Sequence, residues 1–221
     1  MTQLTNPKGN YMGRSILPIF ALLMSLLIAS NVLASVPPGL DVKEGAAVQS
    51  DNIFPIVRFE TNMGNVVVEL DRAKAPVAVN NFLRYVIKRS YDNTVFHRVI
   101  ESFVVQGGGY DENYEALPEF PSVINESGNG LKNTTYSIAM ARKNDPHTAT
   151  RQFFFNMNEN TNLDPGSKWG YTVFGQVTEG TDILEEMASV ETAFNPKLGW
   201  PDVPVKPLIL KQIVILPQAP L

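Results

Sequence analysis

Arg98, Gln106 and Gln152 are one cation and two amides set among aromatic and branched apolar residues. Arg98 lies in Phe96-His97-Arg98-Val99-Ile100. Gln106 ends Phe103-Val104-Val105-Gln106 and precedes Gly107-Gly108-Gly109. Gln152 opens Gln152-Phe153-Phe154-Phe155-Asn156. A guanidinium stays charged at ordinary pH and carries only donors. Against an apolar wall it is a permanent cation that can donate hydrogen bonds without moving a proton. Other chemistries lack their parts. There is no cysteine, hence no thiolate nucleophile, disulfide or Cys-based metal site. His97 and His147 lie fifty residues apart, too far for a His-rich metal motif. Ser102 is near His97, but no G-x-S-x-G elbow surrounds it. No Gly-Lys-Ser/Thr follows the glycine run, which argues against a phosphate loop. Neither a metal nor a cofactor is expected. A net charge of -4 without a Lys/Arg block also argues against nucleic-acid binding.

The surrounding elements are short and mostly extended. Ile56–Thr61 and Val66–Leu70 flank Asn62-Met63-Gly64-Asn65 and predict a β-hairpin. From Pro76 to Arg89 the period changes, with Val79, Phe82, Leu83 and Val86 at i, i+3, i+4 and i+7, the stripe of an amphipathic helix. Pro76 suits its first turn. Strands are predicted at Thr94–Ile100, Phe103–Gln106, Tyr136–Ala141, Arg151–Met157, Thr172–Val177 and Leu208–Leu216, and a second helix at Asp182–Ser189. Many short strands with two helices favour a closed barrel, because closure removes exposed edges. Alternation places Gln152 and Phe154 on one face of their strand, Phe153 and Phe155 on the other. It likewise places Arg98 with Phe96 and Ile100, opposite His97.

Residues 1–34 read as a signal peptide. Lys8 and Arg14 are the only charges before Asp41, Ile16–Ile28 is a nearly continuous apolar run of 13 residues, and Val32-Leu33-Ala34 offers small residues for cleavage. The run is shorter than the ~20 residues of a membrane span. Met12 is a second candidate start. Cleavage after Ala34 removes two cations and takes the net charge from -4 to -6. Export to a bacterial periplasm is expected. Residues 35–53, rich in Pro, Gly, Ala and Ser, read as a flexible linker, and 54–221 as one folded domain. Asn125-Glu126-Ser127 and Asn133-Thr134-Thr135 match glycosylation triplets, a signal that often arises by chance.

Three ordered blocks carry a family resemblance. They are Phe96-His97-Arg98 through Gln106-Gly107-Gly108; Ser137-Ile138-Ala139-Met140-Ala141-Arg142 ahead of Gln152-Phe153-Phe154-Phe155-Asn156; and Asn162-Leu163-Asp164 through Tyr171-Thr172-Val173-Phe174-Gly175. In these the chain resembles the cyclophilin-type peptidyl-prolyl cis-trans isomerases, most of all the short exported bacterial ones. The likeness spans roughly Ile56–Leu216. It implies a mainly β fold, a closed eight-stranded antiparallel barrel capped by two helices, with the groove outside. It implies that Arg98 is catalytic and that Phe103, Val104, Phe154, Leu163 and Tyr171 receive a proline ring. Gln106 and Gln152 would be groove amides, and Ala139 and Met140 the strand that pairs with the substrate, Met140 through its backbone.

Departures from the best-known eukaryotic pattern are Asn162 for a tryptophan, Tyr171 for a histidine, Met140 for an asparagine and Val104 for a methionine. Loss of the indole at Asn162 implies weak cyclosporin binding. The implied partners are proline-containing, unfolded or partly folded exported polypeptides, met by a monomer that assists their folding. The implied activity is rotation about X-Pro bonds. The competing expectation is a scaffold or chaperone that binds proline segments without turnover.

Overall fold

The computed structural model describes residues 42–218. The elements, in chain order, are α1 Lys43–Ala46, β1 Ile56–Thr61, β2 Asn65–Leu70, α2 Pro76–Ile87, β3 Thr94–Ile100, β4 Val104–Asp111, β5 Ser137–Met140, β6 Phe153–Asn156, β7 Val173–Glu179, α3 Thr181–Ala188, β8 Thr192–Asn195, β9 Trp200–Pro204 and β10 Leu208–Ile215. Eight strands close into an antiparallel barrel in the order β1-β10-β3-β4-β6-β5-β7-β2, and β8 and β9 form a separate two-stranded hairpin.

Aromatic packing fills the barrel. Phe59 of β1 meets the rings of Phe153 and Phe155 edge-on at 5.4 and 5.3 Å. Phe82 of α2 reaches the rings of Phe59, Phe153 and Phe174. Such aromatic pairs add about 0.5–1.5 kcal/mol each beyond area burial. The helical stripe Val79, Phe82, Leu83 and Val86 is buried as its spacing predicts, and α3 contributes Leu184 and Met187. The first turn of α2 is capped from outside: the Glu126 carboxylate accepts the N–H groups of Val77 and Ala78 at 3.1 and 2.8 Å.

Residues 42–53 depart from the expected flexible linker, of which residues 35–41 lie outside the described residues, as does the predicted signal peptide. Val42 is buried and Val48 packs on the core. Arg72 donates to the carbonyl oxygens of Val48, Gln49 and Asn52, each at 2.7 Å. Gly45 lets α1 lie directly on α2, since a Cβ there would stand 1.7 Å from Asn80 O. The ordering comes from partners on a distant segment, which local composition does not register.

Strand β3 departs from simple alternation. Phe96 pairs with Gly107 and Arg98 with the adjacent Gln106, so β3 carries one extra residue there, a bulge at His97. Phe96 and Val99 face the core. His97, buried beneath Tyr110 and Trp200, therefore lies outside the barrel with Arg98 rather than opposite it.

Candidate active site

Alternation in β6 sends Phe153 and Phe155 inward and Phe154 outward. Phe154 joins Val104, Ala139 and Val173 in a second, smaller buried cluster on the barrel surface. Phe103, Leu131, Ala141, Leu163 and Tyr171 pack around it. Above this cluster opens a groove of about 470 Å³ lined by Arg98, Phe103, Val104, Gln106, Ala141, Arg142, Phe154, Leu163, Tyr171, Trp200, Pro201 and Asp202. The Phe154 and Tyr171 rings meet edge-on at 5.6 Å and form its apolar end.

Arg98 stands at the rim. Its Nη1 donates to Gln106 Oε1 at 3.5 Å, and its Nε lies 3.8 Å from Asp202 Oδ2. The guanidinium carbon is 6.0 Å from the Phe103 ring centre, at the outer limit of a cation–π contact. Gln106 is oriented in turn by Gln152, whose Oε1 accepts Gln106 Nε2 at 3.0 Å. Gln152 lies across the backbone of Gly109: a Cβ at that position would come within 2.5 Å of its Nε2. One glycine of the run therefore seats a groove amide.

The outer wall is held by Arg142. Its guanidinium lies 4.5 Å from the Tyr171 ring centre and donates to the carbonyls of Trp169 and Gly170. Tyr171 N–H donates to Leu163 O at 2.9 Å, which closes the loop between these two pocket residues.

The predicted residues Arg98, Phe103, Val104, Gln106, Phe154, Leu163 and Tyr171 thus share one groove. Gln152 stands behind Gln106 and lines an adjoining cavity. Ala139 lies in the cluster beneath the groove. Met140 is placed differently: its side chain enters the barrel core and its N–H donates to Thr172 O at 2.9 Å. That donor is therefore engaged within the barrel instead of being open to a substrate chain. Asn162 is exposed and lines a neighbouring cavity, not the main groove. An indole does reach the groove, but it belongs to Trp200. Asn125 and Asn133, the two triplet asparagines, are both buried with internal hydrogen bonds.

Arg142, Trp200, Pro201 and Asp202 are groove residues that local pattern does not reveal. The last three arrive on the β8–β9 hairpin, about a hundred residues after Arg98 in the chain. His97 anchors that hairpin, its ring centre 5.4 Å from that of Trp200 and 4.7 Å from Tyr110. Neither imidazole nitrogen makes a hydrogen bond of ordinary geometry. Burial lowers its pKa to about 4, only partly opposed by the nearby Val95 backbone and Gln152 amide, and assisted by the Arg98 charge. His97 is therefore neutral at neutral pH and structural.

Comparison with known proteins agrees with this geometry. The family described as cyclophilin type peptidyl-prolyl cis-trans isomerase/CLD matches residues 56–211. A peptidyl-prolyl cis-trans isomerase of Streptomyces antibioticus is 45% identical over 164 residues, 72% of this chain and 98% of that protein. Peptidyl-prolyl cis-trans isomerase A of Dickeya dadantii is 36% identical over 191 residues, 86% of this chain and 99% of its own length. A cyclophilin-type isomerase of Cryptosporidium parvum, solved in the presence of the dipeptide Ala-Pro, superposes with a TM-score of 0.60 at 26% identity, covering 74% of this chain and 99% of that one.

Proposed function

This chain belongs to the cyclophilin-type peptidyl-prolyl cis-trans isomerase family and is an enzyme of that reaction, and on this premise we propose how its groove accelerates rotation about X-Pro bonds. A planar peptide bond resists rotation by ~18–20 kcal/mol because of amide resonance. X-Pro bonds populate both isomers but exchange in tens to hundreds of seconds. At the twisted transition state resonance is lost and the prolyl nitrogen gains a localised lone pair. Acceleration requires only that the twisted form be bound better than either planar form.

The proline ring enters the apolar end made by Phe103, Val104, Phe154, Leu163 and Tyr171. Arg98, at the rim, donates to the prolyl nitrogen as its lone pair develops. The preceding carbonyl swings while the ring stays fixed. No nucleophile, metal or proton transfer takes part, so activity should be nearly flat between about pH 6 and pH 9. The observation that carries the reading is the placement of the Arg98 guanidinium in the same groove as the apolar cluster of Val104, Phe154 and Tyr171.

An isomer-exchange assay on a short Ala-Pro peptide tests it. Losing one preorganised donor should cost about 2–4 kcal/mol, roughly two to three decades in rate, in Arg98→Ala. Undiminished exchange by that variant sinks the mechanism. No turnover by the wild-type protein would instead favour a proline-binding scaffold.

Assistance to exported proteins is the biological setting we infer, supported by the apolar leader-like segment before Ala34 together with a groove that reads a proline and little else. N-terminal sequencing of the protein recovered from a bacterial periplasm should begin at Ser35. Refolding of an exported client with slow proline-limited phases should quicken when the enzyme is added. Weak cyclosporin binding is proposed on the grounds that Asn162 carries no indole donor, and calorimetric titration measures it.

A further inference from the structure

We propose that Asp202 is a positioning residue for Arg98, delivered to the groove by the β8–β9 hairpin and needed to aim the guanidinium at the prolyl nitrogen. An arginine head on a flexible stem rotates freely unless its planar fork is held on more than one edge. Here two edges are held. Gln106 Oε1 takes Nη1 at 3.5 Å, and the Asp202 carboxylate faces Nε at 3.8 Å. Among the described residues these contacts engage Nη1 and Nε, which leaves Nη2 as the nitrogen we assign to the substrate.

The Gln106 contact is long, so by itself it is a weak restraint. Asp202 adds a charged one on the opposite side. Its own position is fixed by the hairpin, not by Arg98. Trp200, two residues earlier, packs on the buried His97 ring, and Val203, one residue later, is buried and paired with Ala193. The backbone that carries the carboxylate is thus held by packing on both sides of it. It also lines the same groove as Arg98, so it acts where the chemistry occurs.

Both side chains are about one-third exposed, and an ion pair of that kind is modest in strength. The expected effect is therefore a small one on rate. The inference rests on Arg98 being catalytic, and a double-mutant cycle separates the two claims. In Ala-Pro peptide exchange, Asp202→Ala should lower kcat roughly two- to fivefold with KM unchanged and no fall in thermal midpoint. Asp202→Glu should restore much of the loss. In an Arg98→Ala background the Asp202→Ala change should have no further effect.

Full activity of Asp202→Ala overturns the proposal, and so does an equal loss in both backgrounds, which would mean a direct contact with substrate or a general structural role. If Arg98→Ala itself is fully active, the catalytic reading falls and this one with it. If Arg98→Ala is impaired and Asp202→Ala is not, only the positioning role is lost.

Discussion

The Gln152 carbonyl accepts a hydrogen bond from Gln106 at 3.0 Å, and this decides which end of the Gln106 amide faces Arg98. With its NH₂ engaged, Gln106 presents Oε1 to the guanidinium. Were the amide reversed, two donors would face each other. Gln152→Leu removes that constraint without touching Arg98. Its loss should cost about 1 kcal/mol, or roughly a fivefold fall in kcat/KM. In a Gln106→Leu background the same change should be silent, because no amide is left to orient. Peptide exchange kinetics on the four proteins test this, and additive losses would show that Gln152 acts independently.

This chain of orientation was half legible in the sequence. Gln106, Gln152 and Phe154 could be assigned to an outer face because period-two alternation holds from Val104 to Gln106 and from Gln152 to Phe155. It failed in β3, where the bulge at His97 puts two successive residues outside the barrel, and nothing in Phe96-His97-Arg98 signals an unpaired residue. The hairpin bearing Trp200 and Asp202 was missed for another reason. Pro196, Gly199, Pro201 and Pro204 punctuate the segment as a loop, and prolines demote a run from strand to non-strand. Among the described residues its two strands pair only with each other, which leaves room for those prolines. The packed segment at 42–53 depends on the Arg72 guanidinium, a contact set by tertiary folding.

Alternation in β6 makes a sharper test of how core and groove divide. Phe153 and Phe154 are neighbours of identical chemistry, both nearly inaccessible, yet Phe153 belongs to the barrel core and Phe154 to the groove cluster. Phe153→Leu should destabilise by about 1–3 kcal/mol, since it leaves a void among packed rings, and should leave kcat/KM within about twofold. Phe154→Leu should do the reverse. It reshapes the pocket end that Tyr171 closes, raising KM several-fold with a smaller stability loss. Urea unfolding and exchange kinetics on the pair check this. Equal effects of both substitutions on KM would contradict the assignment of faces.

His97 gives a pH signature separable from catalysis. Its pKa is about 4 in the folded protein against 6.5 as the ordinary value, with burial the main cause. Between those values the unfolded chain binds more protons than the folded one, so stability rises with pH across that window. The contribution is complete above about pH 6.5 and is lost as pH falls towards 4. A shift of this size corresponds to an order of 3 kcal/mol. Glu126 opposes this slope: burial raises its carboxyl despite the two N–H groups it accepts, so it favours the folded state as it protonates. That term is common to wild type and a His97 variant and cancels in their difference. His97→Phe keeps a ring between Tyr110 and Trp200 but cannot charge. Urea unfolding at about pH 7 and pH 4.5 should show wild type losing on the order of 2–3 kcal/mol more than His97→Phe. Peptide exchange near neutral pH should differ little between them, because the imidazole is neutral there and its place is filled. Identical acid losses in the two proteins would mean that His97 does not carry the buried charge cost assigned to it.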